Sequence, residues 1–178
     1  MKITIGSSSN DNIDDQNKEG SKKVIEYLAS KGFELIWGCA SSSIMGISYK
    51  EFLKHNRKMY GFTTSKYISD LDNLKVAENT ICDNTFDLKK NFFYDADIIL
   101  MLPGGTGTIS ELFAFLEELR SSDINKPFII YNESGHFDST LALIDDLVKR
   151  NFNSINIFNY FKVVNSFDEF KDIVDNFY

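Results

Sequence analysis

The sequence predicts a single α/β domain over residues 1–178, built as a Rossmann-like, three-layer, doubly wound parallel sheet. Three observations predict it. Strand-like apolar runs alternate with amphipathic, helix-spaced stretches along the chain. The run Asp97-Ile-Ile-Leu-Met-Leu102 is apolar after its first residue, as in a strand covered on both faces. Small-residue clusters follow three of the runs, at Gly6–Ser9, Gly38–Ser43 and Pro103–Thr108. In such sheets ligands sit beyond the carboxyl ends of the strands, which is where these clusters fall.

Each element follows from its local pattern. Lys2–Gly6 is a short β-type run ending in glycine. Gly20–Lys31 carries Val24, Ile25 and Leu28 at helical spacing. Phe33–Gly38 is a second strand, and Ser43–Lys54 a helix with Ile44, Ile47, Phe52 and Leu53. Lys58–Thr63 suits a third strand. Thr64–Phe86 is polar and mixed, a loop with room for one short helix or strand. Asp87–Ala96 reads as helix and leads into the strand at 97–102. Thr108–Leu119 is a helix with Ile109, Leu112, Phe113, Leu116 and Leu119 on one side. Pro127–Tyr131 is a buried strand, Phe137–Arg150 a helix, Phe161–Val164 a last strand and Phe167–Phe177 a last helix.

Composition narrows the function. The net charge is −7, and only Arg57, Arg120 and Arg150 are arginines among 19 basic residues. Binding long nucleic acid needs clustered positive charge to release counterions, so that class is set aside. A small phosphorylated ligand needs only a few N–H groups and one or two cations. Two cysteines, Cys39 and Cys82, are too few for a disulfide framework or a four-cysteine zinc site. His55 and His136 show no chelating spacing, so neither metal nor cofactor is expected. No apolar run has the length of a membrane span, and Met1–Gly6 carries no leader pattern; a cytoplasmic protein is expected.

Pro103-Gly-Gly-Thr-Gly-Thr-Ile-Ser-Glu111 carries the chemistry. It follows a buried strand and opens a helix. Glycines allow close backbone approach, and the first N–H groups of a helix point outward toward an anion. The bland alternative is a glycine turn in which Thr108-x-x-Glu111 forms a capping box. A first-turn carboxylate would repel a phosphate, so Glu111 is better suited to ribose hydroxyls or a water.

That segment resembles the PGGxGTxxE signature of the lonely guy (LOG) family, also known as possible lysine decarboxylases. The resemblance extends to Gly6-Ser-Ser8, to Gly38, Met45 and Gly46 of a GGGxxGLMG element, and to Asn132–Asp138 as an NxxGxxD segment. It implies a Rossmann-like dimer that hydrolyses the N-glycosidic bond of a nucleoside 5′-monophosphate, such as a cytokinin riboside monophosphate or AMP. Free base and ribose 5-phosphate are the products. Gly104, Gly105, Thr106, Gly107 and Thr108 would bind phosphate and ribose, with Ser8, Gly38 and Ser43 beside them. Glu111 would assist attack of water on C1′, with Lys89 as a second catalytic group.

Two departures bear on that reading. The family's Arg-Lys pair falls on Leu88 and Lys89, so the arginine is a leucine. Lys89 or Lys90 is either a substitute, without the planar fork, or part of a solvated helix face. The glycine-rich element reads Gly38-Cys-Ala-Ser-Ser-Ser43, where Cβ atoms narrow the approach and hydroxyls offer donors. Cys39 reads as a small buried thiol. Asp11, Asp14 and Asp15 read as solvated loop and helix-start charges, and His136 as an aromatic position rather than an acid–base group. Phe92, Phe93 and Tyr94 in succession cannot all face one core, which points to a homodimer contact on that helix. A nucleotide-sensing protein without turnover is the alternative. A nucleoside deoxyribosyltransferase-like enzyme is third.

Overall fold

The computed structural model describes residues 1–72 and 74–177, without the side chain of residue 70. Seven strands form one parallel sheet: β1 (Lys2–Gly6), β2 (Glu34–Trp37), β3 (Met59–Thr64), β4 (Glu78–Cys82), β5 (Ile98–Met101), β6 (Phe128–Tyr131) and β7 (Lys162–Val164). Their order is β4-β3-β2-β1-β5-β6-β7. The chain winds outward from β1 in one direction, returns at β5, and winds outward in the other. The topological switch therefore lies between β1 and β5, where the departing loops diverge and leave a crevice.

Six helices cover the sheet: α1 (Asp15–Lys31), α2 (Ser43–Lys54), α3 (Thr85–Tyr94), α4 (Thr106–Ser121), α5 (Asp138–Lys149) and α6 (Phe167–Asp175). Alternation along the strands sorts the core into two layers. Ile3, Ile5, Leu35, Trp37, Leu100 and Ile129 face Val24, Ile25 and Leu28 of α1, Ile44 and Phe52 of α2, and Phe170 and Val174 of α6. Ile36, Ile99, Met101, Phe128 and Ile130 face Phe92 and Phe93 of α3, Leu112, Phe115 and Leu116 of α4, and Ile144 of α5. Both faces of the central strands are thus buried, which is why β5 and β6 read as unbroken apolar runs. Among the described residues no helix is long and apolar enough to cross a membrane.

Several elements differ from the sequence reading. α1 begins at Asp15, not Gly20, because Asp14 caps it by accepting the Asn17 N–H at 2.8 Å. That bond also holds the Asp14 carboxyl below its ordinary range. α1 ends at Gly32, whose φ of 95° gives the left-handed C-terminal turn. The mixed stretch 64–86 contains a 3₁₀ segment, Ser65–Leu71, and the edge strand β4. Four of the five residues of β4 are exposed or half-buried, so it shows little hydrophobic alternation. α3 starts at Thr85, two residues before the sequence pattern suggests, with Asn84 accepting the N–H groups of Phe86 and Asp87.

Candidate active site

The crevice at the switch is stitched by the backbone. Leu102 donates its N–H to Gly6 O at 2.9 Å, and Ser8 donates to Pro103 O at 3.0 Å. The loops after β1 and β5 therefore leave the sheet side by side. α4 begins at Thr106 with Gly105 as its N-terminal cap residue, and no side chain caps it. The alternative capping box does not form, because Thr108 is already inside the helix and Glu111 lies in its second turn. Ile109 N–H bonds Gly105 O, but the N–H groups of Gly105, Thr106 and Gly107 meet no acceptor among the described residues. These three residues are exposed, and nothing stands within 4 Å of a Cβ built on Gly105 or Gly107. An uncapped helix start with open space in front of it is where an anion binds.

Gly104 and Thr108 have a different position. Both are buried, and a Cβ on Gly104 would collide with the Thr108 hydroxyl and Cβ. The glycine is there so that the turn can close onto the helix. His136, from the β6–α5 loop, reaches the same residue. Its Nε2 lies 3.1 Å from Gly104 N and 2.8 Å from Gly104 O, accepting or donating according to tautomer. Sequence reasoning gave His136 no such contact. It lies 32 residues from Gly104, and only the pairing of β5 with β6 brings the loops together.

Glu111 projects from α4 toward the end of β1. A Cβ on Gly6 would stand 2.8 Å from Glu111 Oε2 and 2.5 Å from Met101 Cε. A side chain at Gly6 would therefore displace the Glu111 carboxylate or the end of Met101. The Glu111 side chain is half-buried by accessible area, yet protein packs densely around its carboxyl. That desolvation pushes its pKa up to about 7, against the opposing positive charge of Lys89. Lys89 comes from α3 and donates to Ser110 Oγ at 2.6 Å. The fold thus brings together Glu111, Lys89 and the Gly104–Thr108 turn, from two helices and a loop.

Leu88 is half-buried and packs against the core layer of α3 and α4. None of the three arginines compensates. Arg57 donates to Ala29 O and Ser30 O at the end of α1, Arg120 pairs with Glu117, and Arg150 with Asp146.

The loop after β2 is occupied by the protein itself. Ser43 N–H donates to Asp11 Oδ1 at 2.7 Å, Met45 N–H to Ser8 O at 3.1 Å, and Ser42 Oγ to Ser9 O at 2.7 Å. Asp11 is therefore a cap on α2 rather than a freely solvated charge. Ser8 Oγ accepts the Asn10 N–H at 3.0 Å. Gly38 makes room for Met45, whose Cε would lie 2.7 Å from an added Cβ. The hydroxyls of Ser7 and Ser43 are buried without a partner among the described residues. Of the Ser8, Gly38 and Ser43 group, Ser43 Oγ has no partner, while Ser8 Oγ serves as an acceptor. Cys39 is fully buried, with its thiol 3.8 Å from Trp37 O. Asn132 is committed to its own turn, accepting the Phe137 N–H and donating to Asp138.

The parallel sheet, the switch-point crevice and the open helix start make this a Rossmann-like α/β protein with an uncapped helix start at its switch point. The family model described as possible lysine decarboxylase matches residues 45–174. The chain belongs to that family, the lonely guy (LOG) family. It is similar to a probable cytokinin riboside 5′-monophosphate phosphoribohydrolase of Oryza sativa subsp. japonica, 28% identical over 121 residues, covering 67% of this chain and 54% of that protein. The corresponding phosphoribohydrolase of Mycobacterium tuberculosis is 27% identical over 145 residues, 76% of this chain and 73% of that protein. The chain spans little more than half the length of two rice relatives, 54% and 56%. Its fold matches the molybdenum cofactor binding protein of Rippkaea orientalis, with a TM-score of 0.71 and 13% identity over 99% of this chain and 96% of the other.

Proposed function

We propose that the protein hydrolyses the N-glycosidic bond of a nucleoside 5′-monophosphate, an AMP-like or cytokinin riboside monophosphate, to free base and ribose 5-phosphate. The Glu111 carboxyl, desolvated beside Gly6 and facing Lys89, is the observation that carries this reading. As the base leaves, C1′ gains positive charge. A fixed carboxylate in a desolvated setting stabilises that charge and orients a water for attack. The open N–H groups of Gly105, Thr106 and Gly107 receive the phosphate, while Gly104 and Thr108 shape the turn that presents them. Lys89 holds Glu111 toward its ionised form and supplies positive charge near the reacting centre.

The working unit in this reading is a homodimer. Phe86 is 79% exposed and Tyr94 49% exposed, both on α3. They border a groove of about 380 Å³ between α3 and α4 that also includes Lys89. A second copy over this groove would bury both rings and close the side of the site nearest Lys89.

A non-catalytic nucleotide-binding role is favoured by one observation. Leu88 stands where the family motif has arginine, and its apolar side chain packs half-buried against the core layer of α3 and α4. One experiment separates the readings. The protein and its Glu111→Ala variant are incubated with a panel of ribo- and deoxyribonucleoside monophosphates, and released base is measured by chromatography. Base release that falls by 10² or more in the variant supports the enzyme. Binding without base release from any nucleotide supports the sensor, and equal release by the variant removes Glu111 from its role.

A further inference from the structure

The geometry points to a second ligand site, for a divalent transition-metal ion such as Zn²⁺, at the far end of α2. One ring nitrogen of His55 and one carboxylate oxygen each from Glu26 and Glu51 lie within 4.8 Å of one another. Glu51 and His55 are four residues apart at the C-terminal end of α2, so they share a face. Glu26 comes from α1, which packs beside α2. The cluster is remote from the crevice, because α2 runs its full length of about 18 Å between them.

Two features distinguish this cluster from an ordinary surface ion pair. First, His55 Nε2 is buried and has no hydrogen-bond partner among the described residues. A buried polar nitrogen left unpaired is costly, and metal coordination to the imidazole is one way to offset that cost. Second, the charges do not balance. Lys54 Nζ lies 3.3 Å from Glu26 Oε1 and 3.1 Å from Glu51 Oε2, one ammonium between two carboxylates. Glu51 is the constrained partner, with its side chain only 11% exposed. A divalent ion would neutralise both carboxylates and release Lys54, whose side chain is 59% exposed, into water.

The donor set selects the ion. An imidazole nitrogen with two carboxylate oxygens suits Zn²⁺, Co²⁺ or Ni²⁺ better than Ca²⁺ or Mg²⁺, which prefer oxygen throughout. Bonds of about 2.0–2.2 Å require the three donors to draw in to about 3.4 Å of one another. The exposed Glu26 side chain, at 51%, has the freedom to make that move. Water completes the coordination on the open side.

The test uses the full, tag-free chain stripped of metal by a chelator. Zn²⁺ is titrated calorimetrically, and Co²⁺ is followed by its visible absorption. The expected result is one saturable equivalent per chain with a dissociation constant below about 10 µM. His55→Ala and Glu51→Gln should each weaken binding at least tenfold. Lys54→Met, which removes the competing ammonium, should tighten it several-fold. Glu26→Gln lies on the surface and covers the case in which the buried variants fail to fold; it too should weaken binding. Absence of a single saturable site, or binding unchanged in His55→Ala and Glu26→Gln, overturns the inference.

Discussion

The loop after β5 and the loop after β2 are built alike. Each leaves a buried strand next to or one strand away from the sheet's switch point, passes through small residues and enters a helix. At the start of α2 two of the backbone donors are consumed internally, Ser43 N–H by Asp11 and Met45 N–H by Ser8 O. At the start of α4 they are not, and no side chain caps the helix. The backbones differ as well. Cys39 and Ser43 sit at φ 64° and 52°, left-handed values that cost a side chain about 1–2 kcal/mol each. Gly105 sits at φ −83°, which any residue adopts. The glycines near α4 are there for space rather than for unusual dihedrals. Small residues at a strand end therefore do not by themselves identify a ligand loop. What separates the two loops is whether the protein has already taken the helix donors.

The most severe test of this contrast is Gly6→Ala. The new methyl would meet Glu111 Oε2 and Met101 Cε, moving the carboxylate away from the crevice. Displacement by about 1 Å costs on the order of 10²-fold in rate, so base release should fall by about that factor while the fold, read by circular dichroism, persists. Next comes a pair of glycines. Gly46→Ala would drive a Cβ into the Ser41 carbonyl, which is backbone and cannot swing aside. It should lower stability by about 1–3 kcal/mol in urea unfolding. Gly105→Ala has open space and should change stability by less than about 0.5 kcal/mol, yet it projects into the proposed phosphate position and should weaken nucleotide binding. If Gly105→Ala leaves affinity unchanged, the α4 start is not the phosphate site and the contrast between the loops collapses.

Asp11→Ala removes the cap on α2. A loss of about 1 kcal/mol is expected from unfolding curves, with nucleotide affinity little changed. An affinity loss as large as that for Gly105→Ala would show that the α2 start also serves the ligand. The smallest effect is a displacement along the pH axis. Burial holds the Glu111 carboxyl up to about 7, and the charge of Lys89 pulls it down. If the ionised form acts, the rate rises as pH passes through about 7 and levels off above it. Lys89→Met removes the downward pull, so the rise should move to higher pH. A midpoint that stays in place or falls would assign it to another group.

Legibility differed by region for physical reasons. The central strands were readable because burial on both faces writes itself as unbroken apolar residues, as in Ile98–Leu102. The Ser43–Lys54 helix has the same bounds in sequence and structure. The edge strand β4 was not readable. Its register is set by pairing with β3, Tyr60 opposite Glu78 through Thr64 opposite Cys82, and most of its side chains face solvent. At the site, the segment Pro103–Glu111 was legible because its glycines and threonines are unusual together. α4 starts two residues before Thr108, where the sequence pattern places it, since Gly105 caps it through backbone geometry alone. The contact of His136 with Gly104 and the capping of α2 by Asp11 left no local signal.

The sequence by itself determined the α/β class, the strand-to-helix turn with its open glycines, and the replacement of an expected arginine by Leu88. The first two are properties of consecutive residues, carried by periodicity and composition; the third follows from the resemblance to the family motif. Only the tertiary structure decided which helix start keeps its N–H groups, that Leu88 packs against the α3–α4 core layer, and that Glu111 stands against Gly6 with Lys89 nearby. Each of those depends on atoms from segments far apart in the chain. Hydrogen-bond occupancy and desolvation are set by what the sheet brings together, and neither is written in the residues on either side.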